Sequence, residues 1–207
     1  MDGMSTGESL GRMPKRNGGA EKPGDKILAV ATELFCRDGI HATGIDRILS
    51  EAGTAKMTLY NHFGSKEGLI YAVLKAEGER WRAWFAETLD DGATEPSDKL
   101  FAVFPTLEKW FARKDYYGCA FINAVAEHNK QDTTIQSLTL EHKKAILALL
   151  EDIAVGAGCT DPADLAHQLG ILMDGAIVAA MVTGNPSIAR DAGRTADLLI
   201  RHHLNAA

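Results

Sequence analysis

Ile45, Ile48, Leu49 and Ala52 recur at i, i+3, i+4 and i+7. Gly53 follows at once, and Leu59 and Phe63 then resume helical spacing at i and i+4. Two helices this short cannot stand alone, so both must bury their few apolar residues against a third. That third helix is visible upstream, where Ile27, Leu28, Ala31, Leu34 and Phe35 form one stripe from Asp25 onward and Gly39 closes it. Gly53 supplies the left-handed turn that a β-carbon resists. The spacing therefore predicts a helix-turn-helix between Ile45 and Phe63, with its second helix over about Ala55–Phe63. Gly64-Ser65 ends that helix, and Ser65 is the expected N-cap of the next.

The rest of the chain keeps the helical period, with no useful β-alternation and no internal repeat. A helix over about Lys66–Leu89 carries Leu69, Ile70, Val73, Leu74, Trp81, Trp84 and Phe85 inward, and Asp90–Glu95 reads as a loop. Further helices are expected over about Pro96–Arg113, Cys119–Glu127, Thr133–Val155, Pro162–Thr183 and Ser187–His203. The predicted fold class is all-α: an N-terminal three-helix DNA-binding domain with a helix-turn-helix, followed by a helical ligand-binding and dimerisation domain. The expected division is a disordered basic tail over 1–23, the DNA-binding domain over 24–66 and the helical domain over 67–207.

Charge bears on that reading only once it is divided. The chain has a net charge of −6, but residues 1–66 hold 9 Lys/Arg against 8 Asp/Glu, and the remainder holds 13 against 20. The acidity belongs to the later part, which permits nucleic-acid binding by the first third without demonstrating it. In the tail, Arg12, Lys15, Arg16 and Lys22 have only Glu21 nearby; it is either a solvated segment or a basic arm for DNA. The first residues lack the apolar core of a secretory signal. The apolar stretch Ile171–Val182 is short for a bilayer span and contains Asp174. A soluble, cytoplasmic protein is expected. Cys36, Cys119 and Cys159 are widely separated, which argues against a disulfide framework, and no metal site or cofactor is expected.

The outer face of the second short helix carries Lys56, Met57, Thr58, Tyr60, Asn61 and His62, all able to touch phosphates or base edges. A merely solvated cap is the alternative. The run ATGIDRILSEAGTAKMTLYNHFGSKEGL, from Ala42 to Leu69, resembles the DNA-binding domain of the TetR family of repressors. The resemblance rests on Ala52-Gly53, Thr58-Leu59-Tyr60, His62-Phe63 and Ser65-Lys66-Glu67. It implies phosphate contacts from Tyr60, His62 and Lys66, and base reading by Lys56, Met57, Thr58 and Asn61. Lys56 serves either guanine or phosphate. The chain departs from the family pattern at Gly44, at Thr54-Ala55 and at Met57. Ala55 takes the place of a hydroxyl cap, worth about 1 kcal/mol, unless Thr54 caps one residue early and so joins the DNA-facing set.

In the later part, Trp81, Phe85, Phe101, Phe104, Trp110, Tyr117 and Phe121 gather around Pro105, with Asn123, Glu127, Asp174 and the Phe101 carbonyl as polar candidates. They form either a well-filled core or a pocket for a partly apolar small molecule. Asp174 either lines such a pocket or pairs with a partner. Cys119 is either an inert buried thiol or redox-sensitive. Small residues at Gly175, Ala176, Ala179, Ala180 and Gly184, and the face Ile188, Ala192, Thr195, Ala196, Leu199 and Ile200, suit either packing within the chain or a homodimer through the last two helices. The resemblance favours a dimeric repressor released from a palindromic operator by a small-molecule effector. The alternatives are an activator, a ligand-free regulator, or a helical-bundle carrier or enzyme, for which no convergent catalytic group set is visible.

Overall fold

The computed structural model of the chain describes residues 22–128 and 133–205, so the tail expected over 1–23 falls almost wholly outside the described residues. Among the described residues there are nine helices and no strand: α1 (Pro23–Asp38), α2 (Ile45–Ala52), α3 (Lys56–Phe63), α4 (Lys66–Gly92), α5 (Pro96–Phe111), α6 (Ala120–Glu127), α7 (Thr133–Gly156), α8 (Pro162–Thr183) and α9 (Ile188–Asn205). The all-α class expected from periodicity is what the chain adopts.

Pro23 opens α1, where its missing N–H costs nothing. Helices α2 and α3 pack on α1, and both α1 and α3 pack on the first turns of α4. Gly53 has φ 61°, the left-handed conformation that lets α2 stop and the chain reverse. Ser65 then caps α4, its Oγ accepting from the Gly68 N–H at 3.1 Å.

One boundary differs from expectation. The Asp90–Glu95 loop is shorter than the sequence suggests, because α4 continues through Gly92. Leu89 is fully enclosed, and the Lys99 ammonium on α5 donates to Asp90 at 2.6 Å, which holds the extra turn in place. Pro105 stands inside α5 without ending it.

Beyond α4 the helices form a bundle in which α5 lies along α9, α7 along α8, and α8 along α9. The apolar stretch Ile171–Val182 is part of the 22-residue α8, long and apolar enough by composition to cross a membrane. Here its Leu165, Leu169, Met173 and Ile177 are buried against neighbouring helices. One continuous buried cluster runs from Ile27 in α1 to Ile200 in α9. The two parts of the chain therefore share a core, with α4 passing through both.

Candidate DNA-binding face and effector cavity

Helix α3 is held to the molecule by one fully buried residue, Leu59. Everything else on it is exposed or half-buried. Met57 is 68% exposed and Tyr60 42%, and Lys56, Asn61 and His62 are also exposed. Thr58 is half-buried. An amphipathic helix this lopsided leaves its outer face for a partner. Lys56 lies 3.9 Å from Asp46 on α2, a loose contact between exposed groups that a phosphate can displace. His62 sits over the start of α1, so closely that a β-carbon on Gly24 would fall 2.8 Å from its Nδ1.

Two sequence-predicted members do not join this face as expected. Thr54 does not cap α3: Ala55 is the N-cap residue without a side-chain bond, and the Thr54 hydroxyl is buried without a partner. Lys66 is turned inward. Its ammonium donates to the Ile40 carbonyl at 2.8 Å and lies 6.0 Å above the Phe35 ring. It closes the corner between α1 and α2, whose carbonyl would otherwise lack a donor.

That corner is tied down by residues the sequence did not single out. Thr43 is fully buried and donates to the Gly39 carbonyl at 2.7 Å. Arg47 on α2 bridges Asp38 at 2.9 Å and Glu51 at 3.0 Å. From the later part of the chain, Glu127 at the end of α6 accepts from the His41 N–H at 2.9 Å. The adjacent His128 ring stacks on that of His41 at 5.8 Å. Glu127 was a candidate ligand anchor; it clasps the DNA-binding unit instead.

A cavity of about 200 Å³ opens between α4, α6, α7 and α8, bounded also by the segment after α5. Trp81, Trp110, Tyr117, Phe121 and Asp174 are on its wall, as are Arg80, His142, Lys143 and Met173. Asp174 is paired with Lys143 of α7. Arg82 Nη1 lies 2.8 Å from His142 Nδ1. A guanidinium can only donate, so Nδ1 accepts and the neutral ring carries its hydrogen on Nε2. Burial, and then the charges of Arg82 and Lys143, push the His142 pKa down to about 3. Phe121 stacks on His142 at 3.9 Å.

Four expected ligand residues lie elsewhere. Phe85 is fully buried, stacks on the Trp81 ring at 4.8 Å and is not on the cavity wall. Phe101 and Phe104 flank a separate shallow groove between α5 and α9, where Arg201 covers the Phe101 ring at 5.2 Å. Asn123 donates to the Tyr117 carbonyl at 3.0 Å and closes its own loop. Cys119 does line the cavity, but burial raises its thiol pKa and keeps it protonated. No cluster of His, Cys, Asp and Glu suited to a metal occurs among the described residues.

Gly118 has φ 83°, and a β-carbon there would run into the Met181 sulfur. Gly118→Ala should therefore lose about 2 kcal/mol and lower Tm by about 4–8 °C, read by calorimetry. An unchanged Tm would show that the loop relaxes without cost.

Known proteins agree with this architecture. The profile described as bacterial regulatory proteins, tetR family, matches residues 27–73, which span α1 to the first turns of α4. The HTH-type transcriptional regulator LmrA of Bacillus subtilis is 26% identical over 165 residues, covering 78% of this chain and 87% of its own length. QacR of Staphylococcus aureus is 41% identical over 58 residues, 28% of this chain and 31% of that protein. Among solved structures, SCO4454, a TetR-family transcriptional regulator from Streptomyces coelicolor, superimposes with a TM-score of 0.81 at 27% identity, over 88% of this chain and 96% of that one. These likenesses join an exposed α3 carried on a helix-turn-helix to a helical bundle with a cavity. The chain is a DNA-binding transcriptional regulator, not an enzyme; its residues 27–73 match the tetR-family model, and most of its length is similar to a TetR-family regulator of known structure.

Proposed function

We propose that the protein is a cytoplasmic, homodimeric repressor that leaves a palindromic operator when a small, partly apolar molecule fills the cavity. The observation that carries this reading is the continuity of α4. Its first turn packs on α1 and α3, and its middle supplies Glu77, Arg80 and Trp81 to the cavity wall. Helix α6 makes a second route, with Phe121 at the cavity and Glu127 on His41. A molecule that displaces Trp81 or Phe121 therefore acts on both supports of the DNA-binding unit. Two half-sites stand about 34–36 Å apart, so a small change in the separation of two recognition helices is enough to release DNA.

The dimer is supported by an apolar face left open on α8, where Val178 is 40% and Val182 75% exposed, with Leu198 on α9 71% exposed. Isolated exposed apolar residues are ordinary, but a row on adjacent helices marks a contact surface. Introducing Asp at Val178 and Val182 together should give a monomer by size-exclusion chromatography and abolish tight operator binding. A double variant that stays dimeric would exclude this face.

Phosphate contacts fall to Tyr60 and His62, and base contacts to Lys56, Met57, Thr58 and Asn61. In a mobility-shift assay with DNA upstream of the coding sequence, Tyr60→Phe should weaken binding to every sequence about equally, by roughly fivefold. Asn61→Ala should instead alter which bases are preferred. Absence of any shift at low salt would sink the DNA-binding role.

A further inference from the structure

The cavity is not closed by the chain that forms it. Most of its wall is buried or half-buried; among the described residues, the wall side chains exposed to solvent are Asp115, His167 and Ile171. Two of these lie on α8. Ile171 is 72% exposed, whereas Met173 and Ile177, the other large apolar wall residues of that helix, are buried. An isoleucine at the lip of a partly apolar cavity gains by being covered. The opening therefore faces outward along α8, toward whatever packs on that helix.

The exposed face of α8 fits a copy of itself. Ile171, Gly175, Val178 and Val182 are all exposed and follow at intervals of four, three and four residues, so they share one side of the helix. From either end the intervals are the same. A second α8 laid antiparallel on the first by a two-fold axis sets Ile171 opposite the partner's Val182, and Gly175 opposite the partner's Val178. A β-carbon built on Gly175 has nothing within 4 Å, so the position is a recess that a valine can enter. A parallel copy would set glycine on glycine and leave both recesses empty. Charge does not oppose the pairing. Asp174 is the one charged residue from Ile171 to Val182, and it is paired with Lys143 of its own chain.

From the open lip at Ile171, the self-matching stripe and the glycine recess, we propose that a second copy of the chain completes each cavity, the partner's Val182 lying over Ile171 as part of the wall. The site then holds the apolar end of its ligand between two subunits, and the rim at Asp115 remains as the way in. This rests on the reading of the protein as a dimer with an effector cavity, and it gives that cavity a residue from each chain.

Ile171→Cys and Val182→Cys test the arrangement. The two positions stand about 16 Å apart along one helix, and a disulfide needs Cα atoms within about 7 Å, so the bridge can form only between chains. Co-expressed and oxidised with copper–phenanthroline, the two variants should give a cross-linked dimer on a non-reducing gel that neither gives alone. The second readout is N-phenyl-1-naphthylamine, an uncharged dye that brightens in apolar sites. Val182 is 75% exposed and lines no part of its own cavity, so Val182→Ala changes the site only if the partner supplies that side chain. This variant should stay dimeric by size exclusion and bind the dye about three- to tenfold more weakly. Should it dissociate, the cross-link decides. A dimer without the mixed cross-link, unchanged dye affinity in dimeric Val182→Ala, or no dye binding by the unaltered dimer would each overturn the shared site and leave the dimer standing. An unaltered chain that is monomeric would overturn the dimer reading as well.

Discussion

Gly68→Ala should remove tight DNA binding while leaving most of the helix content intact. Gly68 lies in the first turn of α4, and a β-carbon built there collides with the Phe63 carbonyl oxygen. That oxygen belongs to the backbone at the end of α3, and it already accepts from the Ser65 N–H at 2.8 Å. A flexible side chain could swing aside; a backbone carbonyl inside a closed turn moves only if α3 moves. The cost should lie at the upper end of the roughly 1–3 kcal/mol typical of overpacking. The opened corner tilts α3, which is anchored by the buried Leu59 and the half-buried Phe63. We expect at least tenfold weaker operator binding by mobility shift, together with a lowered Tm. Gly53 is the control. It has φ 61° but nothing within 4 Å of a built β-carbon, so Gly53→Asn should cost little, because Asn tolerates that conformation. Wild-type affinity in Gly68→Ala would mean that the corner is softer than its contacts indicate.

Acid should destabilise the helical bundle beyond α4 earlier than its carboxylates alone require. His142 is 5% exposed and its pKa is depressed to about 3, whereas an unfolded imidazole titrates near 6.5. The unfolded chain therefore binds a proton that the folded one refuses between those values. Stability contributed by this group is complete above about pH 6.5 and is lost as pH falls toward about 3. The slope is about 1.4 kcal/mol per pH unit, so roughly 2–3 kcal/mol should disappear between pH 6.5 and 4.5. Urea unfolding at both pH values reads this directly. His142→Gln, which cannot gain the charge, should show a smaller loss over the same interval. Identical losses in the two proteins would mean that His142 accepts its proton in the folded state.

The helix-turn-helix was legible because burial there follows period. Ile48, Leu49, Ala52 and Leu59 are buried where the spacing put them. The corner that steadies it was not legible. Glu127 reaches His41 across 86 positions, and no local pattern announces a bond of that separation. Lys66 was assigned outward by resemblance, yet its ammonium finds the Ile40 carbonyl, an acceptor visible only once α1 and α2 have packed. The cavity was half legible for a related reason. Aromatic density around Trp81, Trp110 and Phe121 marked the region, but an aromatic side chain states its volume and not its side of the helix. Phe85 accordingly went into solid core, and Phe104 into the buried side of the α5–α9 groove. Lys143 and His142 left no mark in sequence, since each matters through a residue on another helix.

The unbroken run of α4 has a consequence for how such a molecule can be taken apart. A DNA-reading fragment cut at Lys66 would part α1 and α3 from Leu69, Ile70, Val73 and Leu74, the buried residues of the helix on which both rest. Such a fragment should aggregate rather than fold. A chimera that exchanges one sensor for another has its viable seam inside the helix, beyond Leu74 and before Glu77. There only Lys75 and Ala76 separate the residues that carry the reading head from those that line the cavity.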